Sequence, residues 1–187
     1  QIAHRDPWVF VCQDLLSKPA CEALIKKAEP NLVPWVNKFD RNSWDVSIPY
    51  KEVPGIQTRL SELLAMPTSH LEPLKVAKYH PGELFGLHHD GLGEATSDGF
   101  PKFGNSTPFG NRVVTCFVYL RDSASGGETH FKDCNLSIAP KQGMGVIHFP
   151  AYMHTATQAM LRGQQDKRVI HESKQAVDEK FICAQWG

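Results

Sequence analysis

Net charge, long apolar runs and pairable cysteines are all scarce in this chain of 187 residues. Its 20 Lys and Arg cancel its 20 Asp and Glu, whereas a protein held to nucleic acid by phosphate contacts carries a basic excess; no nucleic-acid partner is expected. Val113 to Leu120 is among the longest apolar stretches, far short of the ~20 residues a membrane span needs, so no span is expected. The start, Gln1-Ile2-Ala3-His4-Arg5-Asp6, has no apolar core of a signal peptide, although a chain opening on Gln leaves room for a removed leader or anchor. Five cysteines with no Cys-x-x-Cys argue against a disulfide scaffold and a zinc knuckle. The compartment, cytoplasm or secretory lumen, and the oligomeric state stay open.

What is present reads as one domain over residues 1–187, with a helical support region (1–70) and a strand-rich core (71–187). Trp8 to Cys12 has the look of a short buried strand. Ser17 is placed to cap a helix with Pro19 in its first turn and Ala20, Cys21, Leu24, Ile25 and Ala28 on one face. Glu29-Pro30 ends it. Residues 31–55 are mixed, with Trp35 and Trp44 as expected packing anchors. A second helix follows Pro54, with Ile56, Leu60, Leu63 and Leu64 on one side and Met66-Pro67 as its stop. From about residue 70 the pattern turns to strands: Leu74–Tyr79, Arg112–Leu120, Glu128–Phe131, Gly145–Phe149 and Phe181–Trp186. Short strands broken by Gly, Pro and Asp, behind helices at the front, predict a mainly β fold: a double-sheet jelly roll buttressed by N-terminal helices. The long Gly-, Ser- and Pro-rich segment Gly91–Asn111 reads as a flap over a substrate.

That segment begins at His88-x-Asp90, at the end of an expected strand. Residues two apart on a strand point the same way, so the imidazole and carboxylate can share one metal ion. The motif alone is weak, with about one chance match per two chains of this make-up, and His4-Arg5-Asp6 fits it too. His89 alternates away from the pair. A third ligand has three candidates. His148 sits in an apolar strand and reads as a satisfied core histidine; His154 lies in a stretch without strand character. His171 follows Arg168-Val169-Ile170, and Lys180 lies a turn and return later, on a neighbouring strand. Two His and a carboxylate on one face of an octahedron is the non-haem Fe(II) oxygenase arrangement. A buried Lys180 would need an anion, such as a bound dicarboxylate.

Taken in order, the segments resemble the prolyl 4-hydroxylase branch of the Fe(II)/2-oxoglutarate dioxygenases. The likeness runs from Leu15-Leu16-Ser17, Cys21 and Leu24-Ile25 through Glu72–Tyr79 and His88-x-Asp90. It continues with Arg112-x-x-Thr115, Tyr119-Leu120, Gly126-Gly127-Glu128-Thr129-x-Phe131 and Pro140-x-x-Gly143. Asp166-x-Arg168-x-x-His171-Glu172, Ala176-Val177 and Lys180 to Trp186 complete it.

The resemblance implies a double-stranded β-helix with His88, Asp90 and His171 on Fe(II). Lys180 would meet the distal carboxylate of 2-oxoglutarate, with Tyr79, Thr129 and Tyr119 near the cosubstrate and Arg112 and Trp186 along a peptide groove. It further implies O2 as oxidant, ascorbate as reductant, and decarboxylation of 2-oxoglutarate to succinate and CO2. The substrate so implied is proline in a peptide or protein. Two departures are visible: Phe85 stands where the family often has Tyr, and Ala176-Val177 where it has Pro-Val. The alternatives are a hydroxylase of a free amino acid or other small molecule, a non-catalytic jelly-roll binding module, and a zinc hydrolase with no use for Lys180.

Overall fold

The computed structural model describes residues 1–37, 41–91, 112–152 and 164–187. The chain opens with two strands, β1 (Ile2–Arg5) and β2 (Trp8–Cys12), and then α1 (Lys18–Ala28). The Ser17 hydroxyl accepts from the Ala20 amide at 3.4 Å at the start of α1, which buries Cys21, Leu24, Ile25 and Ala28. Strands β3 (Val33–Asn37) and β4 (Arg41–Ile48) follow, then α2 (Pro54–Leu64). In α2, Leu60 and Gln57 are buried while Leu63, expected on the inner face, is 42% exposed. The second half supplies β5 (Leu74–Tyr79), β6 (Phe85–His88), β7 (Thr115–Tyr119), β8 (Thr129–Phe131), β9 (Leu136–Ile138), β10 (Gly145–His148), β11 (His171–Ser173) and β12 (Lys180–Trp186).

Twelve strands join by hydrogen bonds in the order β1-β2-β10-β7-β12-β5-β4-β6-β11-β8-β9, with β3 on β4. Every pairing between them is antiparallel. This is the expected jelly roll: a nearly closed sheet folded over a central cavity, with α1 and α2 outside. β7 shows how the sequence makes it. All five of its residues are buried, and its two-residue period divides them between two cores. Cys116 and Val118 face outward to Leu24, Ile25 and Leu60 under the helices. Phe117 and Tyr119 face inward to Phe131 and Val146.

The front of the chain is more than helical support. β4 lies between β5 and β6 in the main sheet, and its pattern escapes a hydrophobic reading because its buried positions are Ser43, Asp45 and Ile48. A strand that turns polar residues toward a cavity loses the apolar alternation by which strands are recognised. Trp35 is likewise no packing anchor: it is 46% exposed on β3.

Candidate metal centre

Register builds the centre. His171 on β11 lies directly opposite His88 on β6, and Asp90 sits two residues past His88, beyond the strand end. The ligand atoms of His88, Asp90 and His171 all lie within 4.8 Å of one another, and His171 and Asp90 are buried. His88 Nε2 is 3.7 Å from Asp90 Oδ1, and His171 Nε2 is 3.9 Å from Oδ2.

The fit to a metal rests on how the two imidazoles are held. His88 Nδ1 is 2.9 Å from the Gly86 carbonyl, and His171 Nδ1 is 3.0 Å from the Val169 carbonyl. In each case Nδ1–H donates to the carbonyl two residues back, which leaves the Nε2 lone pair facing the carboxylate. Metal-bound imidazoles are anchored in this way. Burial lowers the pKa of both rings, that of His171 well below the usual histidine range. Burial alone would raise the Asp90 carboxyl, but contact with His148 and the fields of His171, His148 and His88 outweigh it and hold it well below the carboxylate range. Two neutral imidazoles and an ionised carboxylate are the protonation states a divalent metal requires.

Lys180 marks the other end of the cavity. It pairs with Tyr79 across β12 and β5 and is 1% exposed. Its ammonium donates to the Gly127 carbonyl and the Ser173 hydroxyl, both at 2.6 Å, and no carboxylate lies within ion-pair distance among the described residues. Burial lowers its pKa to about 7, with Glu128 only partly opposing. Gly126 and Gly127 both have positive φ, and a Cβ on Gly127 would come 3.1 Å from Lys180 Cδ. The turn that presents this carbonyl therefore favours glycine.

A cavity runs between these ends. Tyr79, Thr129, Ser173, Lys180 and Trp186 line it together with the three ligands. Tyr119 stands behind Thr129: its hydroxyl is 2.7 Å from Thr129 Oγ1 and donates to the Ile138 carbonyl at 3.0 Å. Arg112 makes a two-pronged ion pair with Glu72 at 2.6 and 2.8 Å, donates to the Asp90 carbonyl at 3.1 Å, and stacks on Trp186 at 4.1 Å. Thr115 Oγ1 and Trp186 Nε1 are buried with no hydrogen-bond partner among the described residues, and both residues line the cavity. Groups of this kind cost stability until a polar ligand meets them.

Two expectations change, and two fall elsewhere. His148 is no satisfied core histidine: it is fully buried, its Nε2 lies 3.2 Å from Asp90 Oδ2, and neither nitrogen makes a well-aligned hydrogen bond. Its sequence signal was present as a lone polar residue in an apolar strand, but no local pattern links residue 148 to residue 90. Phe85 does more than lack a hydroxyl. It stacks on the His88 ring at 3.5 Å and carries the Arg41 guanidinium over its face at 4.4 Å. His89, as expected, turns away; it meets the Asp166 carbonyl at 3.1 Å. His154 and, beyond Gly91, the flap lie outside the described residues.

A jelly roll with two imidazoles and a carboxylate converging in its cavity defines a non-haem metal oxygenase of the facial-triad kind. Comparison with known proteins gives the family. Residues 74–187 match the 2OG-Fe(II) oxygenase superfamily, and the chain belongs to it: it is an oxygenase that uses Fe(II) and 2-oxoglutarate. Prolyl 4-hydroxylase 1 of Arabidopsis thaliana is 26% identical over all of this chain and 70% of its own length. Prolyl 4-hydroxylase subunit alpha-1 of Gallus gallus is 30% identical over 60% of this chain, which spans only 21% of that subunit. Among solved structures, the viral collagen prolyl hydroxylase of Paramecium Bursaria Chlorella virus-1, in its 2OG complex, superimposes with a TM-score of 0.74. It shares 26% identity and covers 95% of this chain and 94% of that one.

Proposed function

We propose that this oxygenase hydroxylates proline within a peptide or protein. His88, Asp90 and His171 would hold Fe(II). Lys180 would pair with the distal carboxylate of 2-oxoglutarate, with Tyr79 and Thr129 beside it. Bound there, the metal and cosubstrate supply oxidative decarboxylation to succinate and CO2 coupled to C–H hydroxylation.

The chain's own residues do the rest. Lys180 offers a charge already stripped of water, so an incoming carboxylate gains a partner that the protein itself withholds. Tyr79 and Tyr119 place their ring faces 5.4 and 5.5 Å from that ammonium, holding its charge while excluding solvent. The Nδ1 anchors on His88 and His171 keep both rings turned with Nε2 toward Asp90 before a metal binds.

The observation that carries the peptide reading is the cavity mouth. Lys75 Nζ sits between two indoles, 5.0 Å from the Trp35 ring and 5.7 Å from the Trp186 ring. Arg41 lies 5.6 Å from Trp35 and 4.4 Å from Phe85, and Arg112 covers Trp186. This band of flat rings braced by cations runs from beside His88 out to the exposed Trp35. Aromatic-walled grooves suit proline-rich segments, whose extended helix is already ordered before binding. The names of the relatives, prolyl 4-hydroxylases and a collagen prolyl hydroxylase, support the same substrate.

The test is turnover of 2-oxoglutarate with Fe(II) in the presence of proline-rich peptides, the same peptides with proline replaced by alanine, or free amino acids. Stimulation by the proline peptides alone, with one oxygen gained on proline by mass spectrometry, is expected. Stimulation by free amino acids alone would replace this reading with the small-molecule one.

A further inference from the structure

The third imidazole beside Asp90 differs from the other two in how it is held. His88 and His171 each donate from Nδ1 to a carbonyl of their own strand segment. His148, on β10, has no such anchor: among the described residues neither of its nitrogens makes a well-aligned hydrogen bond, and the nearer to the carboxylate is Nε2, 3.2 Å from Asp90 Oδ2. Among the described residues the surroundings offer no alternative. The ring is enclosed by the edges and faces of Phe131 at 5.3 Å, Phe117 at 6.5 Å and His171 at 4.8 Å. A neutral imidazole carries one N–H. Placed on Nε2 it meets an anion; placed on Nδ1 it meets only rings and leaves two lone pairs opposed. His148 is therefore set to donate, whereas His88 and His171 are set to coordinate.

We propose that His148 is a positioning residue that makes Asp90 a one-oxygen ligand. Its Nε2–H, 3.2 Å away, would draw on Oδ2, which also lies 3.9 Å from His171 Nε2, and leave Oδ1, the oxygen 3.7 Å from His88 Nε2, for the metal. A carboxylate free to turn can give both oxygens to one ion and would occupy a position that the cosubstrate or O2 needs. An apolar side chain at 148 would pack among these phenyl rings without an orphaned nitrogen, so the histidine is explained by what its other nitrogen holds. The inference rests on the metal centre but not on the identity of the substrate.

Two measurements test it, neither of which reads catalysis. In the Zn(II)-loaded protein, long-range 1H–15N correlation of labelled histidines should show His148 with its proton on Nε2 and His88 and His171 with theirs on Nδ1. A His148 proton on Nδ1 overturns the proposal. In Co(II) titrations followed by visible absorption, His148→Phe should bind ~10–100-fold more weakly, with a changed band shape, and His148→Gln, which restores an N–H, should return most of the loss. His148→Phe binding within about twofold of the wild type, or His148→Gln no better than His148→Phe, also overturns it. Should His148→Phe not fold, the tautomer measurement on the wild type decides alone. A wild type that binds neither metal removes the centre itself, whereas metal binding without prolyl turnover leaves the His148 proposal standing and sinks only the substrate.

Discussion

The cavity floor and the cavity mouth treat charge in opposite ways. At the mouth each cation among the described residues has a carboxylate: Arg41 and Lys75 share Asp45, and Arg112 grips Glu72. On the floor, among the described residues, Lys180 is buried against neutral acceptors only, and Asp90 is ringed by imidazoles with no Lys or Arg in ion-pair reach. Paired charge shapes a surface, whereas buried and unpaired charge is retained against its own desolvation cost. That difference separates the residues that build the groove from those that await a ligand.

The strongest way to break the contrast is to remove a floor ligand. Asp90→Ala or His171→Ala should abolish Fe(II)-dependent turnover of 2-oxoglutarate while leaving the circular dichroism spectrum unchanged. Lys180→Met sharpens it, because two readouts should move in opposite directions. The Kd for 2-oxoglutarate should rise by roughly 30- to 1,000-fold, corresponding to ~2–4 kcal/mol for losing one partner of a buried charged pair. Urea denaturation without 2-oxoglutarate should show a gain of ~1–4 kcal/mol, since an unpaired buried ammonium has been replaced by an apolar chain. A Lys180→Met protein that is less stable would place the lysine among the structural residues.

The pH dependence follows from the same ammonium. Its folded pKa, about 7, lies below its ordinary value of 10.5. Between those values the unfolded chain binds the extra proton, so the stability of the protein without 2-oxoglutarate should rise with pH through that window, and the full penalty should stand below about pH 7. The cosubstrate's carboxylate needs the charged form, so its binding should take up a proton and weaken as pH rises above about 7, by at most ~tenfold per unit. Calorimetry in buffers of different ionisation enthalpy reads both the sign and the proton count. The smallest expected effect is at the mouth. Trp35→Ala should raise the KM for a proline peptide about fivefold, the equivalent of ~1 kcal/mol, and leave 2-oxoglutarate binding unchanged.

Legibility in the sequence divides along the same line. Strands buried on apolar faces announced themselves: β2, β5 and β12 lie within a residue of where composition and alternation placed them, and α1 starts at its Ser17 cap. His88, Asp90 and His171 were legible as a set because strand period, turn spacing and the resemblance agreed. β4 was not, since Ser43 and Asp45 occupy its inward positions and erase the apolar signal. His148 was missed for a different reason. Its meaning lies in a contact across the barrel, and an imidazole in an apolar strand looks alike whether its nitrogens are satisfied at home or turned toward a distant carboxylate. The bracing of Trp35 by Arg41 and Lys75 is likewise a product of strand pairing that no local pattern encodes.

The most direct test of the account is anaerobic calorimetry of 2-oxoglutarate binding to the Fe(II)-loaded protein. One molecule per chain is predicted to bind, only when metal is present, with proton uptake above pH 7 and a large loss of affinity in Lys180→Met. Binding that is independent of metal, or as tight in Lys180→Met as in the wild type, would contradict it.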